Sequence, residues 1–151
     1  MQDEVTVHMD APPEEVWALV SDVTRIGEFS PETFEAEWLG GATGPEVGAR
    51  FRGHVKRNGR GPTYWSECTV TKVEPQRAFE FAVGPNGRVI NTWGYRLDPS
   101  GDGTDVTEYF RLTPALPLRV YWALLGWARG KTNRNGMQTT LERMKAVLEA
   151  A

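Results

Sequence analysis

The sequence offers little from which a metal centre or thiol chemistry could be assembled: one cysteine and two histidines in 151 residues. Cys68 alone cannot close an internal disulfide, and a lone cysteine in an alternating strand pattern reads as a small core residue. His8 and His54 fall in separate strand-like segments beside Val7 and Val55, so alternation turns both outward. No metal site and no histidine-activated nucleophile is expected. No apolar run approaches the roughly 20 residues of a membrane span, and the N-terminal stretch lacks the basic region and apolar core of a secretory signal. A cytoplasmic protein without stable membrane insertion is the expectation. Positive charge is short as well: 17 lysines and arginines against 20 acidic residues give a net charge of -3. Without a clustered basic stripe, nucleic acid is not an expected partner. The stretches NGRGP and GPNGR hold glycines, but neither leads from a strand into a helix as a phosphate-cradling loop must, and no cofactor is implied.

What the chain does hold is aromatic area, with six tryptophans, six phenylalanines and four tyrosines. Its length suits one domain, residues 1–151. In residues 3–10, Val5, Val7 and Met9 alternate with polar neighbours, the period of a half-buried strand. Asp10 and two prolines then open a short helix, APPEEVWALVSDV, with Asp10 as its expected cap and Val16, Trp17, Leu19 and Val20 as its apolar side. TRIGEFSPE reads as a second short helical turn closed by Pro31. Six strand-like segments follow: TFEAEWL, ARFRGHVKR, YWSECTVTKV, AFEFAV, VINTWGYRL and DVTEYFRLT. Short turn-rich links predict consecutive hairpins, hence a meander and not a parallel sheet. From Pro117 the pattern becomes helical, with Met137, Leu141, Met144 and Leu148 on one face.

Strand, two short helices, six strands and a long helix make an α+β order, best satisfied by a curved antiparallel sheet wrapped around the C-terminal helix. The segments VWALVSDVTRIGEFSPE, ECTVTKVEPQRAFEF, WGYRLDPSGDGTDVTEYF and GMQTTLERMK resemble, in order and over nearly the whole chain, the START-like or SRPBCC superfamily, specifically its polyketide cyclase/dehydrase-type bacterial members. The resemblance implies a helix-grip fold of about seven strands, with a deep cavity for an apolar or aromatic ligand.

Stepping back along a continuous C-terminal helix from Leu141 puts Met137, Asn133 or Arg134, Gly130, Gly126 and Ala123 on one stripe. Interior glycines cost roughly 1 kcal/mol each relative to alanine, so a void between helix and sheet, walled by Trp122 and Trp127, is one reason to keep them. The other reading is that Gly126 and Gly130 break the helix or let it approach the sheet.

On the strands, alternation places Trp93, Tyr95 and Leu97 on one face and Val106, Glu108, Phe110 and Leu112 on one face of the next. Both are read as inward, together with Phe51, Val55, Ser66, Cys68, Val70, Phe79, Phe81 and Val83. Glu108 is the odd member, a carboxylate among aromatics whose burial should raise its pKa unless Tyr95, Asn133 or Arg134 donates to it. If the register slips by one, it faces water instead. The expected ligand-binding set is therefore Phe51, Ser66, Cys68, Phe81, Trp93, Tyr95, Glu108, Phe110, Gly126, Trp127, Gly130, Asn133 and Met137. SPE and TRIGEF are candidates for a lid over the mouth.

Such a set suits a carrier or sequestering protein for a small hydrophobic ligand, lipid or polyketide-like, which needs no catalytic residue. The alternative is a polyketide aromatase or cyclase in which Glu108, Tyr95 or a pocket arginine moves protons. A module acting on another protein would instead expose an apolar patch. A monomer or homodimer is expected, with Trp38 and Trp65 as contact residues if they face outward.

Overall fold

A computed structural model describes residues 2–56, 62–85, 89–113 and 134–150. Its strands are β1 (Gln2–Met9), β2 (Thr33–Trp38), β3 (Arg50–Val55), β4 (Tyr64–Glu74), β5 (Ala78–Val83), β6 (Asn91–Ser100) and β7 (Gly103–Leu112). All neighbours pair antiparallel in one sheet, in the order β1-β7-β6-β5-β4-β3-β2. The six segments from β2 onward thus form the expected meander, and β1 returns to pair with the last strand.

Turn chemistry fixes the hairpins. Between β4 and β5, Arg77 N–H donates to Glu74 O at 2.8 Å, with Pro75 first in the turn and Gln76 at φ 63°. That is the pattern of a type II turn, which prefers glycine where Gln76 sits. Between β6 and β7 the strands run further than the sequence suggested, so that Ser100 pairs directly with Gly103 and Gly101 takes φ 60° in a two-residue turn. A register shift in β4 after Val70 lets Val70 and Val73 both turn inward, bending the sheet as bulges do.

Helix α1 (Pro13–Val20) buries Val16, Leu19 and Val20, and its Trp17 packs edge-on against Phe79 at 6.3 Å. The helix starts differently from the expectation. Pro12 is the N-cap residue and Pro13 the first helical one, where a missing N–H costs nothing. Asp10 N–H is occupied elsewhere, donating to Glu149 at 2.9 Å. A 3-10 helix over Val23–Glu28 follows, capped by Asp22, which accepts from Thr24 N–H at 3.1 Å.

The described part of the C-terminal helix, α2, covers residues 134–149. Met137, Leu141 and Met144 are at most 1% exposed, and Leu141 and Met144 join the core with Phe51, Val70, Phe79 and Leu97. Each end of α2 is tied to the β1 region: Arg134 pairs with Asp3 at 2.9 Å, and Glu149 holds Asp10. The helix therefore lies on the concave face of the sheet at a fixed height. Residues 114–133, which include Trp122, Gly126, Trp127, Gly130 and Asn133, lie outside the described residues.

The outer face carries a polar cluster. Glu80 on β5 is 8% exposed and accepts from Thr71 at 2.8 Å, from the Tyr109 hydroxyl at 2.8 Å and from Arg111 at 2.6 Å. The Tyr109 ring lies flat over Gly94, where a Cβ would sit 2.3 Å from the ring. Burial works against the Glu80 charge, but the bonds from Tyr109 and Thr71 and the nearby Arg111 and Lys72 outweigh it and hold the carboxyl below its usual range.

Candidate functional site

Between the concave sheet face and α2 lies a cavity of about 200 Å³. Its floor is laid by alternation: Ser66 and Cys68 on β4, Phe81 and Val83 on β5, Asn91, Trp93 and Tyr95 on β6, and Glu108 on β7. Phe51 and Val55 of β3 close one side, and Gly136, Met137 and Thr140 of α2 form the roof. Residues 30–33, just after the 3-10 helix, line the mouth with Tyr64, which is 47% exposed. A broader depression of about 870 Å³ on the outer face is lined by Lys72, Arg77, Arg96 and Arg111 among carboxylates. Its charges are partly paired, as in Arg96 with Glu4 at 3.0 Å, and it is open to water. Among the described residues the inner cavity is the more enclosed of the two.

Of the residues expected to bind ligand, Phe51, Ser66, Cys68, Phe81, Trp93, Tyr95, Glu108 and Met137 line this cavity. Phe110 does not; it is 2% exposed and sits directly opposite Trp93 on β7, with its ring 4.7 Å from that of Trp93. Gly126, Trp127, Gly130 and Asn133 fall outside the described residues. Asn91 and Gly136 are additional lining residues. Asn91 was accessible to sequence reasoning, since it continues the inward alternation of Tyr95 and Trp93 by one more step. Gly136 neighbours Met137 in the helical pattern, and a Cβ built on it meets nothing within 4 Å.

Glu108 is the chemically distinctive group. It sits on β7 between Tyr95 of β6 and Val5 of β1, and is 5% exposed. Burial pushes its carboxyl up to about 8, against the opposing pull of a hydrogen bond from the Tyr95 hydroxyl. Tyr95 is raised well above its ordinary range, first by burial and then by the Glu108 charge. Glu108 Oε1 has no hydrogen-bond partner, and Asn91 Oδ1 is likewise buried and unpartnered. Among the described residues no other buried side-chain nitrogen or oxygen is left in this state. Both atoms belong to lining residues of the same cavity.

Burial, with the Glu67 charge adding to it, pushes the Cys68 thiol up to about 12, which keeps it protonated. His8 and His54 face outward, His8 beside Asp105 at 2.7 Å and His54 stacked on Trp65 at 4.2 Å. Trp65 is the outward tryptophan, whereas Trp38 turns inward, edge-on to Phe51 at 5.7 Å. Among the described residues no group of three or more His, Cys, Asp or Glu is placed to hold a metal ion. No helix among them is long and apolar enough to cross a membrane.

An antiparallel sheet gripping a C-terminal helix, with an aromatic cavity between the two, defines a helix-grip cavity domain. Residues 3–149 match the model of the family described as polyketide cyclase/dehydrase and lipid transport, and the chain belongs to that family. Solved structures with the same fold include a protein of Thermus thermophilus, 17% identical, with a TM-score of 0.73 over 99% of this chain and 98% of that one. A Nitrosomonas europaea protein is 14% identical, with a TM-score of 0.71 over 99% and 95%. A Corynebacterium glutamicum protein described as polyketide-cyclase-like is 30% identical, with a TM-score of 0.54 over 99% and 87%. No curated protein sequence matches.

Proposed function

We propose that this protein carries or sequesters a small, mainly apolar or aromatic molecule, lipid-like or polyketide-like, in the cavity between the sheet and α2. The observation that carries the reading is the enclosure itself: an aromatic wall whose buried, unpaired polar atoms lie on the residues that line it. Burying about 200 Å² of an aromatic guest at roughly 25 cal/mol per Å² contributes about 5 kcal/mol before the costs of association. Apolar contact alone therefore supports weak binding, and polar contacts must supply the rest.

The test uses naphthalene as a minimal guest, followed by amide and side-chain NMR shifts. Shifts are expected at Trp93, Glu108 and Met137, and Gly136→Leu, which fills the open space over the cavity, should abolish them. Equal binding by the Leu variant, or shifts confined to the outer face, would remove the reading. Native mass spectrometry of protein purified from its own host then identifies any resident molecule.

A second reading, an aromatase or cyclase, is favoured by one observation. A carboxyl near 8 beside a phenol can take and return a proton near neutral pH. It expects Glu108 to accelerate exchange of the α-protons of 2-acetylnaphthalene into deuterated solvent. Exchange no faster than buffer, or unchanged in Glu108→Gln, would discard it.

A further inference from the structure

We propose that the cavity selects a neutral, rod-like two-ring molecule with a carbonyl oxygen at the end seated against Glu108 and a hydroxyl donor at the end seated against Asn91. This rests on the ligand-binding reading above and adds to it the placement of the guest's polar groups.

The two orphan atoms set the length. Asn91 lies four residues from Tyr95 on β6, and Glu108 faces Tyr95 across the β6–β7 rung. At about 3.3 Å per residue this sets the two backbone positions about 13 Å apart along β6. Hydrogen bonds of about 2.8 Å at each end leave about 7 Å between the guest's own polar atoms. That is the span of a 2,6-disubstituted naphthalene. The cavity of about 200 Å³ exceeds the roughly 150 Å³ that admits benzene, which again points to two rings. Between the two, Trp93 pairs with Phe81 on β5 and with Phe110 on β7, so this stretch of the wall is aromatic.

The polarity follows from what each atom can do. Asn91 Oδ1 can only accept, so the guest must bring a donor there. Glu108 faces Tyr95 across the β6–β7 rung, and its Oε1 is buried without a hydrogen-bond partner. In the neutral acid the proton belongs on that free oxygen, which then seeks an acceptor. Among the described residues nothing holds Glu108 ionised. On β1, Asp3 is occupied with Arg134 of α2; on β4, Cys68 stays a thiol; Glu32 and Tyr64 stand at the mouth. A cationic guest would have to bury an ammonium beside a carboxylate, a pairing whose desolvation cost commonly exceeds its attraction.

Four probes decide the matter: 6-hydroxy-2-acetylnaphthalene, 2-acetylnaphthalene, 2-naphthol and 2-(aminomethyl)naphthalene, with naphthalene as the apolar reference. The two-ended compound should bind about tenfold tighter than either one-ended compound. Asn91→Leu should erase the advantage of the hydroxyl and leave 2-acetylnaphthalene unaffected. Glu108→Leu should erase the advantage of the carbonyl. Carbonyl affinity should also fall as pH rises past 8 in the wild type and stay flat in Glu108→Gln, whose amide still donates. If naphthalene binds and is blocked by Gly136→Leu while all substituted probes bind alike, the polar placement is wrong and the binding reading stands. Tightest binding by the amine overturns the neutral-acid assignment. If none binds, naphthalene included, both readings fall together.

Discussion

Glu108 is a carboxyl that folding makes harder to ionise. Its raised pKa means that the folded state keeps a proton the unfolded chain would release. The associated stability is fully present below the unfolded value of about 4.3 and is lost as pH rises toward about 8. Glu108→Gln should remove this slope. We expect denaturant melts of the wild type and the Gln variant to be similar near pH 4 and to diverge in favour of Gln by pH 9, by an amount on the order of a few kcal/mol. A constant difference across that range would show that the carboxyl titrates alike in the folded and unfolded chain. Glu80 behaves in the opposite way, since its depressed pKa yields stability that fades only in acid.

At the scale of elements, two residues of the sheet test how closely local sequence and fold agree. Gln76 holds a left-handed conformation that costs a side-chain-bearing residue about 1–2 kcal/mol. Gln76→Gly should raise stability by about 0.5–1 kcal/mol after its own entropic cost, read as a rise of about 2 °C in Tm. Gly94 is required for a different reason. Gly94→Ala would drive a methyl into the Tyr109 ring, swing its hydroxyl off Glu80 and cost about 1–3 kcal/mol in a denaturant melt. Rescue by Tyr109→Leu, which removes the ring, distinguishes this clash from an effect of strand propensity.

For the whole molecule, the sheet and α2 act as two walls of one clamp. Asp3 with Arg134 and Asp10 with Glu149 set the height of the helix above the sheet, and Leu141 and Met144 anchor it in the core. A guest that binds only the folded state adds stability by mass action, about 2.7 kcal/mol at one hundred times its Kd. Saturating 6-hydroxy-2-acetylnaphthalene should therefore raise Tm in a concentration-dependent way in the wild type. The Gly136→Leu protein should melt at or above the unliganded wild type, because leucine is the better helix former, and should not respond to the probe. A fall in its Tm would mean that the space over Gly136 is already occupied.

Period-two alternation was enough to assign the inward faces of β3 to β7, including Glu108 among aromatics, because one face of a half-buried strand must be apolar over its whole length. Helical spacing likewise marked Met137, Leu141 and Met144, and turn residues marked the hairpins. The bulge after Val70, Pro12 as the N-cap residue of α1 and the absence of Phe110 from the cavity lining came only with the fold, since each depends on what a neighbouring strand or helix presents. Tertiary structure alone brought Glu108 and Asn91 into the lining of one cavity and left each with an unpaired oxygen. A hydrogen-bond partner is supplied or withheld by distant parts of the chain, and no local pattern encodes its absence.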